Sequence, residues 1–261
     1  MIRCSVQLSA RSLNTHRHVI PVEAFALTHA GLQRERNEDA FACREDLGLF
    51  VVADGMGGHA AGDVASRVAV EAFVEGIARA RVHAGGNYGV AVLRAGATDA
   101  HEQIRKLGEG TSGRRPGTTV VCLYIDCGTA WVAHVGDSRA YRLRGGRLER
   151  LTRDHSHVQR LIDAGDLVQE DAESHPLANV ITHCLGYGEI GEVFRPRAES
   201  IMDGDVHLLA SDGLTRVVRE ETIAGALAQT GSAREAVELL VELALEAGGP
   251  DNITVAVVRH G

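Results

Sequence analysis

Four times in this chain an aspartate stands where an apolar run begins or ends. Phe50-Val51-Val52-Ala53 runs into Asp54-Gly55-Met56-Gly57-Gly58-His59, and Ala133-His134-Val135-Gly136 into Asp137-Ser138. Leu208-Leu209-Ala210-Ser211 runs into Asp212-Gly213, while Gly248-Gly249-Pro250-Asp251-Asn252 comes just before Ile253–Val258. Short apolar runs bounded by turn residues read as buried strands. Any one of these acids is equally a strand ending in a turn, since Asp-Gly is a common turn dipeptide. The recurrence points further. A lone buried carboxylate is costly, so a buried Asp pairs or binds a metal. In an antiparallel sheet the end of one strand lies beside the start of its neighbour. Three acids after strands and one before a strand can therefore gather at one edge of a sheet. Gathered carboxylates repel unless cations hold them, and oxygen-only ligands suit Mg²⁺ and Mn²⁺. A dinuclear metal site is the expectation.

A second charged stretch, Gly31-Leu32-Gln33-Arg34-Glu35-Arg36-Asn37-Glu38-Asp39, follows the strand candidate 22–28. It reads either as a solvated turn or as a loop that delivers Arg34, Glu38 and Asp39 to the edge holding Asp54. Arginine grips a phosphate in a bidentate fork. The elements that would position these groups follow from periodicity. Helices are expected over 62–81, with Val64, Val68, Ala69, Phe73 and Ile77 inward, and over 90–107, with Leu93, Ala97, Ala100, Ile104 and Leu107 inward. The loop 108–117, rich in Gly, Arg and Ser, reads as mobile. Strands are expected over 118–126, 130–136, 140–144, 147–151, 205–211 and 253–259, and helices over 220–229 and from a Ser232-Ala233-Arg234-Glu235 capping box onward. Residues 152–187 break the strand rhythm. They read as a partly helical, exposed flap docked by Val158, Leu161 and Ile162, of the kind that borders a site and sets substrate choice. The flap histidines His155, His157, His175 and His183 have spacings that fit no tight metal site. Strand-rich stretches alternating with a few long helices favour an α+β sandwich with helices covering the outer faces of two sheets.

The 261 residues are 44% hydrophobic and 24% charged, a globular balance, with no apolar run long enough to cross a bilayer. A net charge of -8 argues against nucleic acid as a partner. Five cysteines, without a Cys-x-x-Cys pair or a secretory signal, read as reduced thiols in a cytoplasmic protein. Residues 1–20 read as a short, poorly ordered extension, with an organellar transit peptide as the alternative, and 21–261 as one domain.

Six motifs stand in order along residues 22–259: Arg34-Glu35-Arg36-Asn37-Glu38-Asp39, Asp54-Gly55-Met56-Gly57-Gly58-His59, Gly117-Thr118-Thr119, Gly136-Asp137-Ser138-Arg139, Ser211-Asp212-Gly213 and Asp251-Asn252. Each is weak alone. Together they resemble the protein phosphatase 2C family of metal-dependent serine/threonine phosphatases, in its compact bacterial form. The resemblance implies a four-layer sandwich, with two central antiparallel sheets between helical pairs. It implies two Mn²⁺ or Mg²⁺ ions bridged by Asp54, with the Gly55 carbonyl at one and Asp212 and Asp251 completing the other. Glu38 and Asp39 would hold the site directly or through waters. Asp137, with Asp212, matches the place of a third, weaker ion. Arg34 matches a phosphate-binding arginine. His59 matches the group that protonates the leaving alkoxide, or else merely orders a metal-bound water. Thr182-His183-Cys184-Leu185-Gly186 departs from the pattern, with histidine where bacterial relatives often carry arginine.

The chemistry implied is attack of a metal-bridging water on a phosphoserine or phosphothreonine, with general-acid help worth ~10² to 10⁴ in rate. Phosphorylated proteins and a cognate Ser/Thr kinase are the implied partners, and a monomer the implied state. No cysteine has an arginine at the spacing of a Cys-x₅-Arg loop, and Ser138 and Ser211 lack a paired histidine, so both serines read as hydrogen-bonding groups within the acid cluster. The alternatives are a non-catalytic binding module of the same fold and a phosphoesterase for a non-protein substrate. The first is disfavoured because Asp54, Asp212 and Asp251 are all present.

Overall fold

A computed structural model of the chain describes residues 3–4, 21–57, 60–83, 89–109 and 115–261. The strands are β1 (Arg3–Cys4), β2 (Val22–His29), β3 (Asp39–Arg44), β4 (Leu49–Met56), β5 (Gly117–Thr118), β6 (Val120–Asp126), β7 (Thr129–Val135), β8 (Arg139–Arg144), β9 (Arg147–Arg150), β10 (Arg197–Ser200), β11 (Val206–Ala210) and β12 (Ile253–His260). The helices are α1 (Ala60–His83), α2 (Gly89–Leu107), α3 (His157–Ala164), α4 (Asp212–Thr215), α5 (Glu220–Gln229) and α6 (Ala233–Glu246). One sheet has the order β1-β2-β12-β11-β8-β9 and the other β10-β7-β6-β4-β3, with β5 on β4. All the strand pairings among the described residues are antiparallel.

The continuous apolar runs of the central strands are explained by burial on both faces. On β4, Leu49, Val51 and Ala53 turn to one cluster, with Phe73, Ile77, Leu93 and Ile104 of α1 and α2. Phe50 and Val52 turn the other way and meet Ala256 and Val258 of β12 between the sheets. Ile253, Val255 and Val257 of β12 face a third cluster with Val237, Leu240 and Ala244 of α6. Three apolar layers separated by two sheets make the four-layer α+β sandwich that the resemblance implies.

Several expectations need adjustment. Leu107 ends α2 and is exposed rather than inward, because the stripe runs out with the helix. The strand expected over 118–126 is broken at Thr119 into β5 and β6. Strands β3 and β10 have no counterpart among the strands the sequence predicts. Of the three residues expected to dock the flap, Val158 is buried and Leu161 and Ile162 are half-buried. Ser232 caps α6 by accepting from the Glu235 N–H, but Glu235 reaches back to the Gly231 N–H rather than to that of Ser232. Most of the 1–20 extension, the middle of the 108–117 loop and His59 lie outside the described residues. Among the described residues no helix is long and apolar enough to cross a membrane.

Candidate active site

The acids meet at one end of the sandwich, and they arrive from both sheets. Asp39 opens β3 and stands opposite Asp54 in the β3–β4 register. In the other sheet Asp212 opens α4 just after β11, and Asp251 comes two residues before β12 begins. Asp137 lies in the link by which the chain crosses from β7 in one sheet to β8 in the other. The gathering expected at the edge of one sheet is therefore built across the ends of two, because neither sheet carries the full set. Arg34, Glu38, Asp54, Gly55, Asp137, Asp212 and Asp251 all line one cleft of about 510 Å³. Asp39 is not in the cleft wall and is buried behind it.

The remaining motif residues hold these acids in place. The Asp54 carbonyl accepts from the Thr118 hydroxyl at 2.8 Å and the Thr119 N–H at 2.9 Å, and the Asp54 N–H donates to Thr119 Oγ1 at 3.0 Å. The Thr119 and Ser138 hydroxyls share a 2.7 Å hydrogen bond, which ties the Asp137 link to the same clamp. Gly136 sits at φ +104°, and a Cβ there would press on the Thr119 side chain at 2.6 Å. Asn252 Oδ1 accepts from the Glu38 N–H at 2.8 Å, while its Nδ2 donates to the carbonyls of Ala30 at 2.9 Å and Arg36 at 2.8 Å. That side chain fastens the Arg34–Asp39 loop to the start of β12. Asp39 Oδ2 accepts from Ser211 at 2.9 Å and Thr254 at 2.6 Å.

Burial sets the electrostatics. It is the first cause holding Asp39 up to about 7, with Asp212 and Asp251 adding repulsion against the two hydroxyl hydrogen bonds. Asp137 is likewise pushed up to about 7 by burial and then by Asp212. Asp54 lies well above the carboxylate range through burial and the repulsion of its neighbouring acids, and Asp212 is raised by burial. These are the marks of a site short of positive charge. Two arginines supply some of it. Arg34 Nη2 lies 2.8 Å from Asp251 Oδ2, and Arg216 Nη2 lies 3.0 Å from Asp212 Oδ2 and 3.2 Å from Asp137 Oδ2.

As the side chains stand, no three His, Cys, Asp or Glu groups among the described residues are arranged to hold an ion. The arginines draw Asp251, Asp212 and Asp137 toward themselves. Among the described residues Asp39 Oδ1 and Asp212 Oδ1 are buried with no hydrogen-bond partner. An oxygen-only set with such orphaned atoms fits a hard divalent cation. The third-ion pair, Asp137 with Asp212, does not fit as well, because Arg216 already holds it.

The sequence profile described as Protein phosphatase 2C matches residues 29–245. The chain belongs to the protein phosphatase 2C family. Similar curated relatives include the serine/threonine protein phosphatase PstP of Mycobacterium tuberculosis, 37% identical over 239 residues that cover 89% of this chain and 44% of that protein. Another is the protein phosphatase PhpP of Streptococcus pneumoniae, 37% identical over 242 residues, covering 91% and 97%. This chain thus spans less than half the length of the mycobacterial relative. A crystal structure of the PstP catalytic domain in complex with two manganese ions superposes with a TM-score of 0.80 at 34% identity, covering 92% of this chain and 98% of that one. Within the phosphatase 2C frame, the residues that sequence reading passed over are Arg216 and Asn179. The available signal for Arg216 was its spacing, four residues after Asp212. Asn179 carried none.

Proposed function

We propose that this chain is a metal-dependent phosphatase acting on phosphoserine and phosphothreonine in proteins. The observation that carries the reading is the convergence of Asp54, Asp137, Asp212 and Asp251, from both sheets, on one cleft that also holds Arg34. Asp54, the Gly55 carbonyl, Asp212, Asp251 and Glu38 would hold two Mn²⁺ or Mg²⁺ ions. Such ions, when bound, neutralise phosphate charge and lower the pKa of water at the site.

The chain's own residues do the positioning. The Arg34 side chain is 57% exposed at the cleft, so it can leave Asp251 and turn its fork onto a phosphoryl group. Asp39, fixed by Ser211 and Thr254, supplies charge behind the cleft wall without entering it. His59, three positions after β4 in the sequence, would give a proton to the departing serine or threonine oxygen or order a water beside it. The flap borders the cleft through Asn179 and Ile181 and would meet the peptide around the phosphate. Phosphorylated proteins and a cognate Ser/Thr kinase are the partners this reading implies, with the chain working as a cytoplasmic monomer whose single phosphatase domain spans 21–261.

The test is phosphate release from a phosphothreonine peptide with Mn²⁺, beside Asp54→Ala and Asp212→Ala and beside nucleotides as alternative substrates. We expect turnover of the peptide by wild type and loss in both variants while their circular dichroism stays native. Preference for the nucleotides would move the activity to another phosphoester. No turnover with any metal would overturn the reading.

A further inference from the structure

Arg216 follows α4, and its guanidinium spans three segments. Nη2 is shared between Asp212 Oδ2 and Asp137 Oδ2, and Nη1 donates to Asn179 Oδ1 in the flap. We propose that Arg216 is a built-in cation that takes the place of a third divalent ion, so that the chain binds two ions and not three, and that it pins the flap to the acid cluster. This rests on the reading of the cleft as a two-ion site.

The argument is one of competition for oxygens. A third ion would need Asp137 and Asp212 together. Their Oδ2 atoms are the ones that Arg216 holds. Asp212 Oδ1 accepts from no donor among the described residues and stays available to the paired ions. The arrangement divides the Asp212 carboxylate, one oxygen to the protein's own cation and the other to metal. A guanidinium cannot lose its proton and its planar fork is preorganised, so an ion entering here must displace a permanent charge with two acceptors already engaged. Mg²⁺ and Mn²⁺ bind through oxygens, and the two that such an ion would share here are already engaged by Arg216.

The flap half of the proposal follows from the same side chain. Around Asn179 the chain is strapped to the start of α3: the His157 N–H donates to the Val180 carbonyl at 2.8 Å and the Thr182 N–H to the His155 carbonyl at 2.7 Å. Asn179 and Ile181 form part of the cleft wall. Arg216 therefore fixes where that wall stands relative to the acids. It is a positioning residue.

The experiment counts ions. Mn²⁺ is titrated calorimetrically into the full chain as wild type, Arg216→Lys, Arg216→Ala, and Arg216→Ala combined with Asp137→Asn. Wild type should saturate at two ions. Arg216→Ala should gain a third, weaker one, which the added Asp137→Asn removes, and Arg216→Lys should remain at two. Hydrogen exchange of the amides around 177–183 should quicken in both Arg216→Ala and Asn179→Ala. Three ions in wild type would overturn the proposal without any variant, and so would two in a folded Arg216→Ala. No Mn²⁺ bound by wild type would bring down the underlying two-ion reading instead. Unchanged flap exchange would overturn the tether.

Discussion

Ser211 donates to Asp39 Oδ2 at 2.9 Å while its own oxygen accepts from the Thr254 N–H at 2.9 Å. One hydroxyl thus satisfies an acid from one sheet and a backbone donor from the other. Thr254 adds a second donor to Asp39 and shares a 2.7 Å hydrogen bond with Thr28 on the neighbouring strand. Ser211→Ala leaves the Thr254 N–H without its partner in a fully buried place. We expect a loss of about 1–3 kcal/mol, the cost of an unsatisfied buried group, read by chemical denaturation, together with a higher Mn²⁺ concentration for half-saturation. Stability and Mn²⁺ dependence equal to wild type would show that Asp39 needs no such support. The sequence placed this serine in the acid cluster as a hydrogen-bonding group rather than a nucleophile. It could not name Asp39 as its partner, 172 positions away.

The contact that matters at the scale of elements is where β4 meets the start of α1. The Gly55 N–H donates to the Glu38 carbonyl at 3.2 Å, and a Cβ on Gly55 would run into the backbone carbonyls of Gly62 and Glu38. Backbone atoms cannot swing aside as a flexible side chain can. Gly55→Ala should therefore push α1 away from β4, at about 1–3 kcal/mol as overpacking usually costs, with a lower Tm and weaker peptide turnover. An unchanged Tm would mean that the helix start yields freely. Legibility in the sequence also sorted by element. The central strands β4, β6, β11 and β12 announce themselves as apolar runs because both faces are covered. β3 and β10 lie at the sheet's edges, with sequences DAFACR and RAES, and have no such run to read. Their strand character comes from pairing with β4 and β7.

Across the whole molecule, two sets of groups pull stability in opposite directions with pH. At the ends of β11 and β12 away from the acids, His207 Nδ1 and His260 Nε2 lie 2.9 Å apart and buried. Burial holds His207 down to about 3, with His260 and Arg142 and Arg144 adding to it against Asp205, and holds His260 down to about 4. Both take up protons more readily when unfolded. Their contribution is full above about 6.5 and is lost as pH falls through the folded values, at about 1.4 kcal/mol per pH unit for each group. The raised acids behave oppositely: Asp39 and Asp137, held to about 7, favour the folded chain at low pH and cease to as pH rises through 7. Bound divalent ions offset the repulsion within the cluster, and their own ligands Asp54 and Asp212, also raised by burial, must give up protons to receive them. Mn²⁺ should thus raise Tm more at pH 7.5 than at pH 5.5. With Mn²⁺ present, His260→Gln should flatten the remaining fall in stability between pH 7 and 5. Equal Tm shifts at the two pH values would detach the acids from metal binding, and an unaltered slope in the variant would detach the histidines from acid sensitivity.

The sequence by itself determined the layers and the donors. Apolar runs and helical stripes fix which faces must be covered. Asp54, Asp137, Asp212 and Asp251, set against those runs, mark the strand ends where an oxygen-only site can form. These are local properties, written in residue type and spacing. What only the tertiary structure decided is which strand ends meet. Stacking the two sheets brings Asp39 and Asp54 from one against Asp212 and Asp251 from the other. It also lays Arg216 across Asp137 and Asp212 and against Asn179 of the flap. Such contacts join residues far apart along the chain, and no periodicity encodes a distance between two sheets.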